Sequence, residues 1–220
     1  MTPILNHYNE YFRQNIEEPE ADFKAQFEAI YPFHEYLKTV DDAIVWNDFI
    51  VWEGRKVGFY LKNICYQKAL DKRVRKAIDP RTMGVTRSEG RRKVNEFFRQ
   101  YPDHLLLIEA SGLHGKDSVR TLIGHQVIII IWKEREQIKM RQFDPNPKRL
   151  ATCSRTTITL RQQLAGSKDV EVISGRAHAG KCISRSLQFV CRVLDGIQDP
   201  KSCKASKIFK ASLNKCIELD

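Results

Sequence analysis

The sequence predicts an α+β fold in which a small mixed or antiparallel sheet packs on a central helix, after a helical N-terminal region. Residues 127–132 form a short apolar, mostly β-branched run, which is typical of a buried strand. Residues 138–143 alternate apolar and polar side chains, as a half-exposed partner strand does, and a charged turn at 133–137 joins the two. Apolar residues then recur at helical spacing over 182–194, so the central helix is predicted to begin at Cys182.

The predicted hairpin has a histidine at its start and an aspartate at its end. Two antiparallel strands joined by a tight turn bring their outer ends together, so we expect His125 and Asp144 to be neighbours in space. A carboxylate beside an imidazole fixes the tautomer of the ring and stabilises its cation, which is half of a catalytic triad. The remaining half is a nucleophile.

Cys182 is the candidate nucleophile. It follows the glycine-containing loop 174–181 and opens the predicted helix. The positive end of a helix dipole and the charge of Lys181 both favour the thiolate, which is the reactive form of a cysteine. A single cysteine on a helix is more often a small buried hydrophobe. The joint order of His125, Asp144 and Cys182 favours catalysis, because it supplies a base for the thiol and an acid to orient the base.

This stretch of the chain resembles a known family. It contains Gly-His, an apolar run closed by Trp132, a charged turn, a strand ending in Phe-Asp-Pro, and later a cysteine at a helix start. Residues 124–196 thereby resemble the adenovirus-type maturation proteases, which share a clan with the ubiquitin-like-protein proteases. The resemblance implies a variant of the papain-like fold and a cysteine endopeptidase that processes viral protein precursors. It also implies that His125 is the general base, Asp144 the orienting acid and Cys182 the nucleophile.

The chain departs from that family pattern near the predicted site. Gln126 stands where many members have Trp, and Ile183 stands where Gly is usual. The positions six and seven residues before Cys182, which carry an oxyanion-donating Gln in proteases of the clan, hold other residues. Ser174 and His178 are the candidates to replace that donor. Removal of one oxyanion donor costs about 2.7–4 kcal/mol of barrier, so the departures bear on rate more than on fold.

Two alternative functions are compatible with the same sequence. The first uses the same three residues for catalysis, and the second involves no catalysis. The bacterial acetyltransferase effectors have the same His-acid-Cys order, so the motif also fits an acyltransferase effector or a protease of ubiquitin-like modifiers. The second alternative is a non-catalytic, basic protein that binds nucleic acid. Dependence on acetyl-CoA, labelling by electrophilic probes of ubiquitin-like modifiers, and the reactivity of Cys182 separate these hypotheses.

Positive charge is concentrated in residues 55–99. This segment holds 14 Lys and Arg against four Asp and Glu, an excess equal to the +10 formal net charge of the whole chain. Such a surface predicts a polyanionic partner, and nucleic acid is the natural one. The resemblance points the same way, since the adenovirus-type protease uses DNA as a cofactor. The candidate nucleic-acid-binding residues lie on two predicted helices, 68–76 and 86–100, and are Lys72, Arg73, Arg75, Lys76, Arg91, Arg92 and Lys93.

Composition bounds the remaining features of the 220-residue chain. We expect a helical, partly basic region over 1–100 and the catalytic core over 101–220.

The six cysteines show neither CxxC nor zinc-ligand spacing, so we expect reduced thiols, no metal site and an intracellular location. The start of the chain is too polar for a signal peptide, and no apolar run is long enough to span a bilayer. A protein substrate is expected. No cofactor is expected to be required, and nucleic acid is the candidate for an activating polyanion.

Overall fold

One mixed sheet organises the molecule. The computed structural model describes residues 3–15, 31–65, 87–114, 123–145, 171–174 and 181–196. Seven strands are hydrogen-bonded in chain order within these ranges. They are β1 (Ala43–Trp46), β2 (Phe49–Trp52), β3 (Val57–Cys65), β4 (Leu105–His114), β5 (Ile123–Glu134), β6 (Gln137–Asp144) and β7 (Glu171–Ser174). The pairs β3–β4 and β6–β7 are parallel and the other neighbours are antiparallel, so the predicted α+β class with a mixed sheet is confirmed.

Helices cover both faces of this sheet. The helices are α1 (Ile4–Asn15), α2 (Arg87–Gln100) and α3 (Cys182–Leu194), and residues 31–37 are also helical. Side chains of α1, residues 31–37 and α3 share one apolar cluster with the sheet, and side chains of α2 share a second cluster with the opposite surface. These surfaces are called the α3 face and the α2 face. The sequence predicted a sheet packed on a central helix and a separate helix at 86–100, but it did not predict that this second helix covers the opposite face of the sheet. Within the described ranges, no helix is long and apolar enough to cross a bilayer.

Strand β5 lies inside the sheet, between β4 and β6, and is buried on both faces. Ile128 and Ile130 point to the α3 face, whereas Val127, Ile129 and Ile131 point to the α2 face. A strand covered on both sides requires apolar residues at every position, which explains the uninterrupted run. The partner strand β6 was predicted to be half-exposed, yet its last five residues are buried. The reason is non-local, because β7 pairs with its outer edge and α3 covers one of its faces.

The N-terminal part of the chain contributes strands as well as helices. Residues 43–65 supply β1, β2 and β3, and Val57 of β3 is the register partner of Leu105 of β4. The domain boundary expected near residue 100 therefore falls between β3 and β4, which are neighbours in one sheet. Helix α2 begins and ends within a residue of the predicted range 86–100, while the predicted helix at 68–76 lies outside the described residues.

Helix α1 is fastened to the C-terminal end of α3. The carboxylate of Asp195 accepts hydrogen bonds from the backbone N–H groups of Ile4 at 2.9 Å and Leu5 at 2.8 Å. This contact, called the Asp195 cap, supplies acceptors for N–H groups that have no partner inside a helix. The guanidinium of Arg55 donates to the carbonyl of Leu194 at 3.1 Å and so places a cation at the negative end of α3.

Helix α2 packs on the sheet through aromatic rings. Phe97 contacts Phe49, Phe98 and Tyr101, with ring centroids 5.1–5.4 Å apart. Its ring lies directly over Gly58 of β3, where an added Cβ would be 2.4 Å from two ring carbons. Only a residue without a side chain lets the ring approach the strand this closely.

Candidate active site

Cys182 is the first residue of α3. The helix forms here because Ile183, Leu187, Val190 and Leu194 recur at helical spacing and are buried on the α3 face. The first turn of α3 contains no acidic residue. Cys182 is 7% exposed, so its thiol lies just beneath the surface at the positive end of the helix.

His125 and Asp144 lie near the same end of neighbouring strands. His125 is the third residue of β5, and its register partner on β4 is Gly112. Asp144 is the last residue of β6 and is completely buried. Its predecessor Phe143 pairs with Ile128, so the backbone of Asp144 is one step nearer to the start of β5. The last register pair of the hairpin therefore lies three residues after His125 and one residue before Asp144, and the proximity of the two side chains stays a prediction.

Two contacts give the direction of α3 relative to β5. The hydroxyl of Ser186 donates to the backbone carbonyl of Gln126 at 3.2 Å. Farther along, the ring of Phe189 stacks on Phe143, the register partner of Ile128, at 4.3 Å. Residue numbers therefore rise in the same direction along α3 and along β5. It follows that α3 begins at the end of the sheet where β5 begins.

Cys182 and Ser186 lie on one side of α3. Residues four apart on an α-helix lie above one another on the same face, separated by about one turn of 5.4 Å. The face that carries Cys182 therefore contacts the strand backbone at Gln126, the residue directly after His125.

The predicted oxyanion donors are only partly described. Ser174 ends β7 and is the register partner of Asp144, so its backbone lies at the same end of the sheet as the hairpin residues. His178 lies outside the described residues. Backbone N–H groups of the first turn of a helix have no acceptor within that helix, and those of α3 are a further source of oxyanion donors.

A buried polar group beside this end of the sheet was not predicted. The side-chain amide of Gln126 donates to Glu109 Oε1 at 3.0 Å, and His34 Nε2 lies 3.2 Å from Glu109 Oε2. Glu109 is 1% exposed and His34 is 3% exposed. The sequence did contain a signal for this group, namely polar residues in or beside apolar strands. Glu109 lies within the apolar run 105–110, and Gln126 directly precedes the apolar run of β5.

The described part of the basic region carries ion pairs. On α2, Arg92 lies 3.2 Å from Glu96, and Lys93 lies 3.0 Å from Asp48 of the β1–β2 turn. Arg91 is exposed on the same helix. These pairs reduce the positive charge that Arg92 and Lys93 offer to a polyanion. The other candidates, Lys72, Arg73, Arg75 and Lys76, lie outside the described residues.

Comparison with known proteins gives structural likeness only. No protein family and no curated protein matches the sequence. Among solved structures, the Legionella pneumophila effector protein RavZ (residues 1–487) is matched with a TM-score of 0.47 and 11% identity, over 86% of this chain. The chain spans 61% of the length of that RavZ chain. A structure of RavZ in complex with human LC3B is matched with a TM-score of 0.42 and 13% identity, over 81% of this chain and 54% of RavZ. These structures are of a bacterial effector and not of an adenovirus-type protease.

Proposed function

We propose that this protein is a cysteine peptidase with a His125–Asp144–Cys182 triad. One observation carries the proposal, the 3.2 Å hydrogen bond from Ser186 to the carbonyl of Gln126. It joins the helix turn directly after Cys182 to the residue directly after His125. Cys182 shares the face of Ser186 and so lies beside the backbone of β5 next to His125. By strand alternation, position 125 shares the α2 face with Val127, so the proposal requires the imidazole to leave that face in order to reach the thiol.

The chemistry follows from the roles of the three groups. The Cys182 thiolate attacks the scissile carbonyl, and a C–S bond forms as the carbonyl electrons move to oxygen. Backbone N–H groups at the start of α3 hold that oxyanion, with Ser174 and His178 as further donors. The His125 imidazolium then gives its proton to the departing amine as the C–N bond breaks. A water molecule, deprotonated by His125, hydrolyses the thioester and restores the thiol.

Asp144 is proposed to orient the imidazole of His125. Its carboxylate is fully buried at the end of β6. Burial of a charge is costly unless other groups compensate it, so a buried carboxylate at a strand end indicates a role that requires the charge. By analogy with other triads, Asp144→Asn is expected to lower turnover by about 10⁴-fold through the wrong imidazole tautomer, while the fold persists.

The first test is the rate of iodoacetamide alkylation against pH, read at each cysteine by peptide mass spectrometry. In the wild type, Cys182 is expected to react well below pH 8, and His125→Ala is expected to abolish that reactivity. Cys191 is the internal control in every sample, because burial raises the pKa of its thiol well above the usual value. A single Cys182 titration near pH 8.5 that is indifferent to His125→Ala would contradict the triad.

The substrate class is a separate question. The viral-precursor hypothesis and the modifier-protease hypothesis both require a protein substrate and the same triad. We propose the second as the first to assay, with electrophilic probes of ubiquitin-like modifiers and with LC3B, the protein bound to RavZ in one structure named above. Acetyl-CoA-dependent modification of a protein by Cys182 would instead identify an acyltransferase. Retained, salt-sensitive DNA binding in a protein whose Cys182 is an ordinary thiol would favour the non-catalytic alternative.

A further inference from the structure

The outer edge of strand β1 carries backbone groups that β2 does not use. Among the described residues, β1 (Ala43–Trp46) is the first strand of the sheet and has a partner strand on one side only. The N–H of Ala43 donates to the carbonyl of Val40 at 3.0 Å and not to β2. Because backbone groups two residues apart on a strand point to the same side, the N–H and the carbonyl of Val45 also point away from β2. This side of β1 is called the β1 edge.

The side chains at the β1 edge are apolar and exposed. Ile44 is 48% exposed and Val45 is 52% exposed, and Tyr31 is the only other exposed large apolar side chain in the described part of the chain. Ile44 pairs with Val51 on the α2 face, and Val45 pairs with Ile50 on the α3 face. An added strand would therefore meet one apolar side chain on each face of the sheet, together with the backbone groups of Val45.

Strand β1 lacks the residues by which edge strands usually prevent pairing. Such strands carry a lysine, a proline or an inward-pointing charge, whereas residues 43–46 read Ala-Ile-Val-Trp. The β1 edge is therefore open to an incoming strand, and its length of four residues restricts that strand to a short segment.

The size of the β1 edge distinguishes a peptide segment from a second copy of the chain. A pairing over four residues is far smaller than a stable protein interface, which has about 20–30 residues on each side. Two copies of a chain with a formal net charge of +10 also repel each other. An extended peptide segment needs only the backbone groups of the edge and a few side-chain contacts, so it is the occupant that fits.

Charge at the start of β1 selects the occupant further. Asp41 and Asp42 are exposed and directly precede the strand. Asp42 forms an ion pair with Arg55, whereas the Asp41 carboxylate has no ion pair within the described residues. At the other end of β1, Asp48 is paired with Lys93. One uncompensated carboxylate thus lies beside the β1 edge, and it favours a lysine or arginine in the occupant.

We propose that the β1 edge is a docking site for an extended segment of a protein partner, which adds a strand to the sheet. Two adjacent apolar residues of that segment pair with Ile44 on one face and Val45 on the other, and a lysine or arginine near them meets Asp41. Backbone hydrogen bonds supply the affinity in this mode of binding, and side chains supply the specificity. Strands β1 and β5 are four strand spacings apart, about 19 Å. The docking site is therefore separate from the proposed triad and does not rest on it.

The test uses a fluorescein-labelled peptide of about ten residues, with two adjacent valines among threonines and a lysine at each end. Fluorescence anisotropy reports its binding to the full chain. Val45→Pro removes the N–H that points to the β1 edge, a substitution that edge strands accept. Val45→Thr keeps the N–H and the branched shape and is the matched control. We expect Val45→Pro to weaken binding by about 10-fold or more, and Val45→Thr to bind nearly as the wild type does.

The charge of the peptide tests the role of Asp41. Asp41→Asn should weaken binding of the lysine peptide by about 2- to 5-fold, and it should leave unchanged the binding of a peptide with glutamine in place of each lysine. Glu134→Gln removes an exposed carboxylate at the last residue of β5 and should change neither affinity. This comparison needs no proline, so it decides the question if Val45→Pro does not fold.

Three results would overturn the proposal. The first is that the lysine peptide does not bind the wild type, and the second is that folded Val45→Pro and Val45→Thr bind it equally well. The third is a wild-type dimer in sedimentation that Val45→Pro abolishes, which would assign the β1 edge to a second copy. Alkylation of Cys182 is expected to be the same in all of these variants, so the docking site and the triad are tested independently.

Discussion

The two faces of the sheet are held together by different kinds of contact. On the α2 face, the rings of Phe97, Phe49 and Tyr101 pack against one another over Gly58. On the α3 face, directional hydrogen bonds between elements supplement the apolar core, including the Asp195 cap and the buried bonds that join Gln126 to Ser186 and to Glu109. The stability that ring packing contributes depends on how closely the rings fit together, whereas a hydrogen bond holds two elements in one relative position. Within the described residues, the fully buried hydrogen bonds between elements lie on the face that carries Cys182, whereas the Lys93–Asp48 pair that links α2 to the β1–β2 turn is partly exposed.

Breaking the α2 face is expected to have the largest effect on stability. In Gly58→Ala, the new Cβ would lie 2.4 Å from carbons of the Phe97 ring, so the ring or the strand must move. We expect a loss of about 1–3 kcal/mol in the free energy of unfolding, measured by denaturant titration, with the Cys182 alkylation profile unchanged.

A double-mutant cycle checks the cause of that loss. Phe97→Leu removes the ring that meets the new methyl group. Gly58→Ala should therefore cost less in the Phe97→Leu background than in the wild type, giving a coupling energy of about 0.5 kcal/mol or more. Additive costs would show that the strain lies elsewhere.

A smaller effect is expected from a single bond on the α3 face. The hydroxyl of Tyr8 donates to the backbone carbonyl of Ser184 at 2.6 Å in a buried position. Tyr8→Phe should reduce the free energy of unfolding by about 1 kcal/mol. Unlike Gly58→Ala, it loosens α1 from the first turn of α3, so the alkylation rate of Cys182 should fall with it.

The pH dependence of stability sharpens this prediction. Burial, followed by the nearby Cys191 thiol, raises the pKa of Tyr8 well above its usual value. The neutral phenol is therefore favoured in the folded state. Its contribution to stability is present below pH 10 and is lost as the pH rises from the unfolded-state pKa of about 10 toward the folded one. Tyr8→Phe should show a shallower loss of stability above pH 10 than the wild type, and equal slopes would contradict the assignment.

An effect of similar size and opposite sign is expected from an amide on the α2 face. Gln142 is completely buried, and its side-chain nitrogen and oxygen make no hydrogen bond in the described part of the structure. Its register partner is Ile129, which belongs to the α2 cluster. Replacement by Met, of similar length and without amide groups, should raise the free energy of unfolding by about 1 kcal/mol. A destabilised Gln142→Met would show that the amide has a polar role on this face.

Local patterns in the sequence predicted the elements well. The apolar run at 127–132 and the alternation at 138–143 predicted the hairpin, and the range predicted for α2 was correct nearly to the residue. Such patterns depend on residues a few positions apart. The second helical layer and the joining of β3 to β4 depend on contacts between distant parts of the chain, which periodicity does not record.

The residues considered for function show the same difference between local and long-range signals in the sequence. His125, Asp144 and Cys182 could be proposed from the sequence because each stands at the end of a predicted element, and their joint role stays a prediction. The ion pair between Lys93 and Asp48 was missed, because its partners are 45 residues apart and belong to different elements. The pair between Arg92 and Glu96 was visible, since i,i+4 spacing on a helix predicts it.

The Asp195 cap has a consequence for the order of folding during synthesis. The N–H groups of Ile4 and Leu5 leave the ribosome first among the described elements, but their acceptor is 190 and 191 residues away. Contacts of such long range are among the last to be secured, because closing a large loop costs entropy before any contact repays it. Most of the sheet can form before Cys182 has been synthesised. Cys182 therefore joins a scaffold whose seven described strands all precede it in the chain.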